Sequence, residues 1–337
     1  MAAISNSHLV SLFRFFTQVA GNIVIFIGCI ILIGWLFNIP ILKDIIPGTP
    51  KMMPNTAIAF VFAGIALRYK GRIAHAGAII VIAVGILTLS QYIFGIDLKI
   101  DQLLFADSKT PQTSYPGRMS PHSAVGFILG GIALLLAGAK RTRISQLLVV
   151  FLILTLLLAL IGYAYSIKSL YSISPYIGMS PITAILFLIL CLGILLSQPD
   201  KGFMAVVSSD TSGGFMARRL LPAAAIIPLA LGYIRLKGEH AGLYDTEFGL
   251  MLFAISNVII FIAIIWWYAR SLDRADIERK EADDLLRITN RSLMVLSECN
   301  EALVRIRNES ELLHTVCRII VEHRASKRHR DYTPCRG

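Results

Sequence analysis

A chain of 337 residues that is 55% hydrophobic and only 16% charged, with a mean hydropathy of +0.69, is not a soluble globular protein, which would carry roughly 25% charged residues. Its net charge of +11 does not indicate a nucleic-acid partner. Lys and Arg gather in short segments between apolar runs and in the C-terminal region, and no basic patch is interleaved with aromatic residues on a soluble domain. Several apolar runs reach the roughly 20 residues that cross a bilayer. The expected fold class is therefore all-α: a polytopic membrane helix bundle followed by a cytoplasmic helix.

Eight spans are expected, at about Phe15–Phe37, Pro54–Leu67, Ile73–Phe94, Pro121–Ala137, Ile144–Tyr165, Pro181–Leu196, Leu220–Leu236 and Phe248–Tyr268. No small-residue cleavage site follows a short apolar region at the N-terminus, so the first span is expected to serve as its own signal. The segments between spans two and three (Arg68, Lys70, Arg72), four and five (Lys140, Arg141, Arg143) and six and seven (Lys201, Arg218, Arg219) are basic. So is the segment after span eight (Arg270, Arg274, Arg279, Lys280). With eight spans these all fall on one side, which the excess of Lys and Arg marks as cytoplasmic. The expected location is the cell inner (plasma) membrane, multi-pass, with both termini in the cytoplasm.

A repeat runs through the spans. Met52-Met-Pro54-Asn-Thr56-Ala57-Ile-Ala-Phe60 matches Met119-Ser-Pro121-His-Ser123-Ala124-Val-Gly-Phe127, and both match Met179-Ser-Pro181-Ile-Thr183-Ala184-Ile-Leu-Phe187. Proline suits the first turn of a helix, where a missing N–H costs nothing; the hydroxyl and the alanine that follow favour close helix packing. The bundle is expected to consist of repeated two-helix hairpins and a last pair that differs. Three helix N-termini facing one outer cavity would favour an anionic group, which makes Thr56, Arg118, His122, Ser123 and Thr183 the candidate ligand-binding residues. The alternative is that these are good helix starts with small packing faces. Polar residues within spans are few, Asn22, His75, Gln91, His122 and Asn257, and no span carries an acidic or basic residue at its middle, which weighs against a proton or ion pathway. The five cysteines, Cys29, Cys191, Cys299, Cys317 and Cys335, form no C-x-x-C pair. No disulfide framework, metal site or cofactor is expected from them.

After Arg270 the chain becomes charged and keeps a seven-residue rhythm. Leu272, Ala275, Ala282, Leu286, Leu293 and Leu296 occupy the a and d positions of a coiled-coil seam, imperfect at Arg279 and Thr289. A homodimer through this helix is expected; the alternative is an amphipathic helix resting on its own bundle or on the membrane surface. The four expected segments are 1–268, an eight-span membrane domain; 269–296, the coiled-coil helix; 297–322, a helical stub; and 323–337, a disordered basic tail with almost no aliphatic residue.

Ser292–Glu322, SLMVLSECNEALVRIRNESELLHTVCRIIVE, resembles the opening of a GAF domain of the kind found in bacterial signalling proteins, cut short at about His323 before its sheet. The three M-x-P-x-[ST]-A repeats, FGIDLKIDQLLF (Phe94–Phe105), GEHAGLYDTEFG (Gly238–Gly249) and WWYARSLDRAD resemble the N-terminal membrane sensor region of bacterial sensor histidine kinases and diguanylate cyclases. The resemblance implies a membrane-embedded signal-input module that answers an unknown small-molecule or membrane stimulus and transmits it through the last span. It implies no defined ligand. His314 does not lie in a phospho-acceptor motif, and GGDEF, phosphate-loop and H-E-x-x-H segments are absent from the chain. The chain is thus expected not to be an enzyme. The alternative function is a small transporter or permease-like bundle.

Overall fold

A computed structural model describes residues 7–43, 49–102, 115–139, 141–165, 178–209, 211–305 and 315–319. Among these the secondary structure is helical, without strands. The helices are α1 (Ser7–Leu36), α2 (Pro40–Lys43), α3 (Pro54–Arg68), α4 (Arg72–Phe94), α5 (Pro121–Gly138), α6 (Thr142–Ala164), α7 (Pro181–Leu196), α8 (Gly202–Val207), α9 (Ser212–His240) and α10 (Thr246–Arg305), with a 3-10 turn at Ile100–Gln102. Six of them, α1, α4, α5, α6, α9 and α10, are long and apolar enough to cross a membrane. The expected spans at Pro54 and Pro181 are apolar but shorter, 15 and 16 residues, or roughly 23 Å at 1.5 Å per residue against a hydrocarbon core of about 30 Å.

Proline sets the start of these short helices. A residue before proline is driven out of the helical region into extended backbone, and Met53, Ser120 and Ser180 all have ψ near 150°. Helix therefore begins at Pro54, Pro121 and Pro181 in every copy of the repeat. The carbonyls of Met53, Ser120 and Ser180 accept the first helical hydrogen bonds, from Ala57, Ala124 and Ala184.

The three copies close on one another. Helices α3, α5 and α7 form an inner layer in which the repeat phenylalanines meet: the ring centroids of Phe60, Phe127 and Phe187 lie 4.8, 4.7 and 4.6 Å apart, and all three side chains are 0% exposed. Near-equal spacing of three equivalent rings gives the bundle an approximate three-fold axis. Helices α1, α4 and α6 form the outer layer. Each packs along the inner helix of its own hairpin (α1 on α3, α4 on α5, α6 on α7) and against the inner helix of the preceding one (α4 on α3, α6 on α5, α1 on α7). The last contact closes the ring. Equivalent hydroxyls mark two of these seams: Thr17 Oγ1 of α1 donates to the Gly193 carbonyl of α7 at 3.2 Å, and Ser145 Oγ of α6 donates to the Ala133 carbonyl of α5 at 2.7 Å.

The hairpins are not equally tight. Gly28 of α1 and Gly85 of α4 hold the same place in their copies, seven residues before Trp35 and Tyr92. A Cβ on Gly28 would sit 3.0 Å from the Ala57 carbonyl oxygen, and one on Gly85 2.8 Å from the Ala124 oxygen. In α6 the same place, seven residues before Tyr163, holds the buried Leu156. The first two hairpins are held at backbone contact and the third is filled by a side chain.

Beyond the ring, α8 is tied to α6 through Gln146, which donates to the Lys201 carbonyl at 3.0 Å and accepts from the Phe203 N–H at 2.7 Å. Arg218 at the start of α9 donates to the carbonyls of Val207 and Ser209, at 2.6 and 2.9 Å, so a cation covers the C-terminal end of α8. The turn between α9 and α10 is fastened by Arg235, which pairs with Glu239 at 2.8 Å and donates to the Thr246 carbonyl at 3.1 Å. The chain divides into two compact units, one to Ile259 and one from Ile260. In the second, Ile262, Ile265, Trp266 and Trp267 are exposed and Arg270 lies 3.9 Å over the Trp266 ring. Ala282, Leu286, Leu293 and Leu296 of the expected seam are exposed on α10. The side chains of Leu272 and Ala275 lie outside the described residues. So do 306–314 and 320–322 of the GAF-like stub and the whole basic tail.

Candidate functional site

Where the repeat motifs begin, hereafter the motif end, the three hairpins share one construction. The methionine two residues before each proline has a carbonyl that no helix uses. Buried carbonyls need a donor, and an aromatic residue at the end of the outer helix supplies it each time. Trp35 Nε1 donates to the Met52 carbonyl at 3.0 Å, the Tyr92 hydroxyl donates to the Met119 carbonyl at 2.8 Å, and the Tyr163 hydroxyl donates to the Met179 carbonyl. Met52, Met119 and Met179 are themselves buried. The motif is thus one half of a clasp whose other half lies on the preceding helix.

Thr56, Ser123 and Thr183 sit behind these clasps, buried in equivalent places of the three inner helices. Ser123 is part of a cap: its hydroxyl lies 2.9 Å from that of Ser120, whose oxygen accepts the Ser123 N–H at 3.2 Å. These hydroxyls belong to the packed layer. Lys51, beside the first copy, is exposed. His122 is half-buried at the start of α5, and its Nδ1 has no hydrogen-bond partner among the described residues.

Arg118 does not present a free charge. Its Nε donates to Asp101 Oδ2 at 2.7 Å and its terminal nitrogen donates to Gln91 Oε1 at 3.1 Å. Asp97 stands 3.6 Å away. The side chains of Arg118 and Asp101 are 3% and 5% exposed. The guanidinium lies 4.3 Å from the Tyr115 ring centroid and 5.3 Å from that of Tyr92. Asp101 also accepts from Gln91 Nε2 at 3.3 Å and from Asn55 Nδ2 at 3.4 Å. Gln91 Oε1 accepts the Leu98 N–H at 2.9 Å, and Asn55 donates to the Ile100 carbonyl at 3.2 Å. Five polar residues from α3, α4 and the segments between α4 and α5 therefore satisfy one another.

Chemically this is a lock rather than a reaction centre. A buried ion pair whose two partners make further hydrogen bonds fixes a geometry, and breaking it from one side leaves an uncompensated charge. Of its members, Gln91 stands out in the sequence as a polar residue within a span and Arg118 as a neighbour of the repeat. Asp97 and Asp101 lie in the FGIDLKIDQLLF segment and Asn55 in the first repeat copy, but nothing local marks them as partners of Arg118, because the partner of a buried charge is set by the fold.

Among the described residues no three His, Cys, Asp or Glu side chains are grouped as a metal site. A cavity of about 500 Å³ lies at the opposite, basic end of the bundle, lined by Arg14, Arg68, Lys70, His75, Leu134 and Gln198 among others. Thr88 of α4 is fully buried and its hydroxyl has no hydrogen-bond partner among the described residues. It holds the place that Ile31 and Ala159 hold in the other outer helices, four residues before the clasp aromatic. Compared with protein-family models, with characterised proteins and with solved structures, the chain matches none.

Proposed function

We propose that the chain is a signal-input module of a bacterial sensory protein of the histidine kinase or diguanylate cyclase type. Eight helices sit in the cell inner membrane, both termini are cytoplasmic, and α10 carries the signal into a dimeric cytoplasmic helix. The observation that carries this role is the length of α10. A single helix of 60 residues is about 90 Å long, some three times the hydrocarbon core of a bilayer. Only its first part, Thr246–Arg270, has the composition of a span. The remainder extends helix into water, where an isolated helix needs a packing partner to be stable. Leu286, Leu293 and Leu296 are exposed within one chain, and a second copy would cover them. Shorter α3 and α7 fit the eight-span count as inner helices shielded by α1, α4 and α6. The GAF-like segment from Ser292 belongs to this role as the start of an output domain.

A transporter needs a path for its substrate. On the three-fold axis the place of such a path is filled by Phe60, Phe127 and Phe187, which favours the sensor over a permease.

Single cysteines at positions 272, 286 and 293, placed in a chain whose own five cysteines are replaced, test the dimer in native membranes. Oxidation is expected to give a disulfide-linked dimer at each of these positions and much less at 276 and 283. Equal linking at all five positions would remove the seam, and with it the proposed route of transmission.

A further inference from the structure

We propose that the basic end of the three-fold axis is a binding site for a phosphate-type anion carried on a larger, partly apolar body. The cavity there is about 500 Å³, within the range of small-molecule sites and far more than a bare phosphate fills. It is assembled by the C-terminal ends of all three inner helices and the N-terminal parts of α1 and α4. Its floor is apolar, with Leu67 and Leu134, and its charged lining residues are Arg14, Arg68 and Lys70, with no carboxylate among them. Arg14 is matched by Asp200 at 3.5 Å. Neither Arg68 nor Lys70 makes an ion pair among the described residues.

Converging helix C-termini would on their own repel an anion. Here that effect is reduced at α5, where the carbonyls of Leu135, Leu136 and Ala137 all accept hydrogen bonds, the last from the Gln198 side chain. At α3 the end itself bears Arg68 and, two residues on, Lys70. Two unpaired cations over an apolar floor match a phosphate head with a hydrocarbon or ring system below it. A membrane lipid headgroup and a soluble phosphate compound share this chemistry.

The test uses the full chain in neutral detergent at constant ionic strength, with thermal unfolding read against three probes: dihexanoyl phosphatidylglycerol, dihexanoyl phosphatidylcholine and inorganic pyrophosphate. Stabilisation by phosphatidylglycerol alone assigns the site to a lipid; stabilisation by pyrophosphate as well assigns it to a soluble phosphate. In either case the apparent Kd is expected to rise about tenfold in Arg68→Gln/Lys70→Gln and to stay unchanged in Arg143→Gln, whose exposed cation lies outside the cavity. Lys70→Gln alone, at an exposed position that the fold tolerates, is expected to weaken binding about threefold. No stabilisation by either anionic probe, equal stabilisation by phosphatidylcholine, or a Kd unmoved by both variants would overturn the assignment.

Discussion

Removing Arg118 alone would strand the Asp101 carboxylate among Gln91 and Asn55. Arg118→Met is expected to destabilise the protein by about 3–5 kcal/mol, the range for breaking a buried pair from one side. Arg118→Met/Asp101→Leu is expected to recover most of that loss, because both charges leave together. Denaturant unfolding of the purified chain in detergent measures both, and a double variant no more stable than the single one would show that the pair is not the lock described. Thr88 gives the opposite sign. Its hydroxyl is buried without a partner among the described residues, so Thr88→Val, which keeps the shape, is expected to gain about 1 kcal/mol; a loss in the same unfolding measurement would reveal a partner for that hydroxyl. The repeat prolines and their hydroxyl neighbours are legible in the sequence because they recur at fixed spacing. The clasp donors are not. One is a tryptophan, Trp35, and two are tyrosines, Tyr92 and Tyr163, and they stand 17, 27 and 16 residues before the carbonyls they serve, across connections of unequal length.

Helices are the best-read level of this molecule, because an apolar run between basic segments has few other solutions in a membrane. The start at each motif proline follows from local sterics, and α10 runs on as one helix beyond its apolar first part. What local pattern could not supply was the division into inner and outer helices. Both kinds are apolar, and the difference lies in which small residues face a neighbouring backbone. Gly85 shows the consequence. Gly85→Val would drive a side chain into the Ala124 carbonyl oxygen and Ile128, and is expected to cost about 1–3 kcal/mol, as is Gly28→Val against Ala57. At the matching place in the third hairpin the native residue is already Leu156, so Leu156→Val, which only trims a buried side chain, is expected to cost about 1 kcal/mol. A thermal-unfolding series over these three positions separates the two kinds of hairpin. Equal costs at all three would mean that the third is packed like the others.

At the scale of the whole molecule, three copies of one hairpin make a ring, with a phenylalanine cluster on its axis, a polar lock at the motif end and a cavity at the basic end. The repeat in the sequence implies equivalent hairpins, yet an open row of three and a closed ring share every local signal. The difference is a single seam, α1 against α7, where Thr17 meets Gly193 at a separation of 176 positions. On that seam a Cβ placed at Gly193 would lie 3.1 Å from the Cβ of Ala20 and 2.5 Å from the Leu67 Cδ2, so a disulfide forms once the end of the Leu67 side chain turns aside and the two Cβ atoms part slightly, bonded cysteines holding them about 3.5–4.5 Å apart. The most direct measurement is therefore oxidation of Ala20→Cys/Gly193→Cys in native membranes, in a chain lacking its own cysteines and carrying a protease site between α4 and α5. A closed ring predicts that the two cleaved halves stay joined until reductant is added. Halves that separate without reductant, or bands formed only between chains, would show that the ring is open.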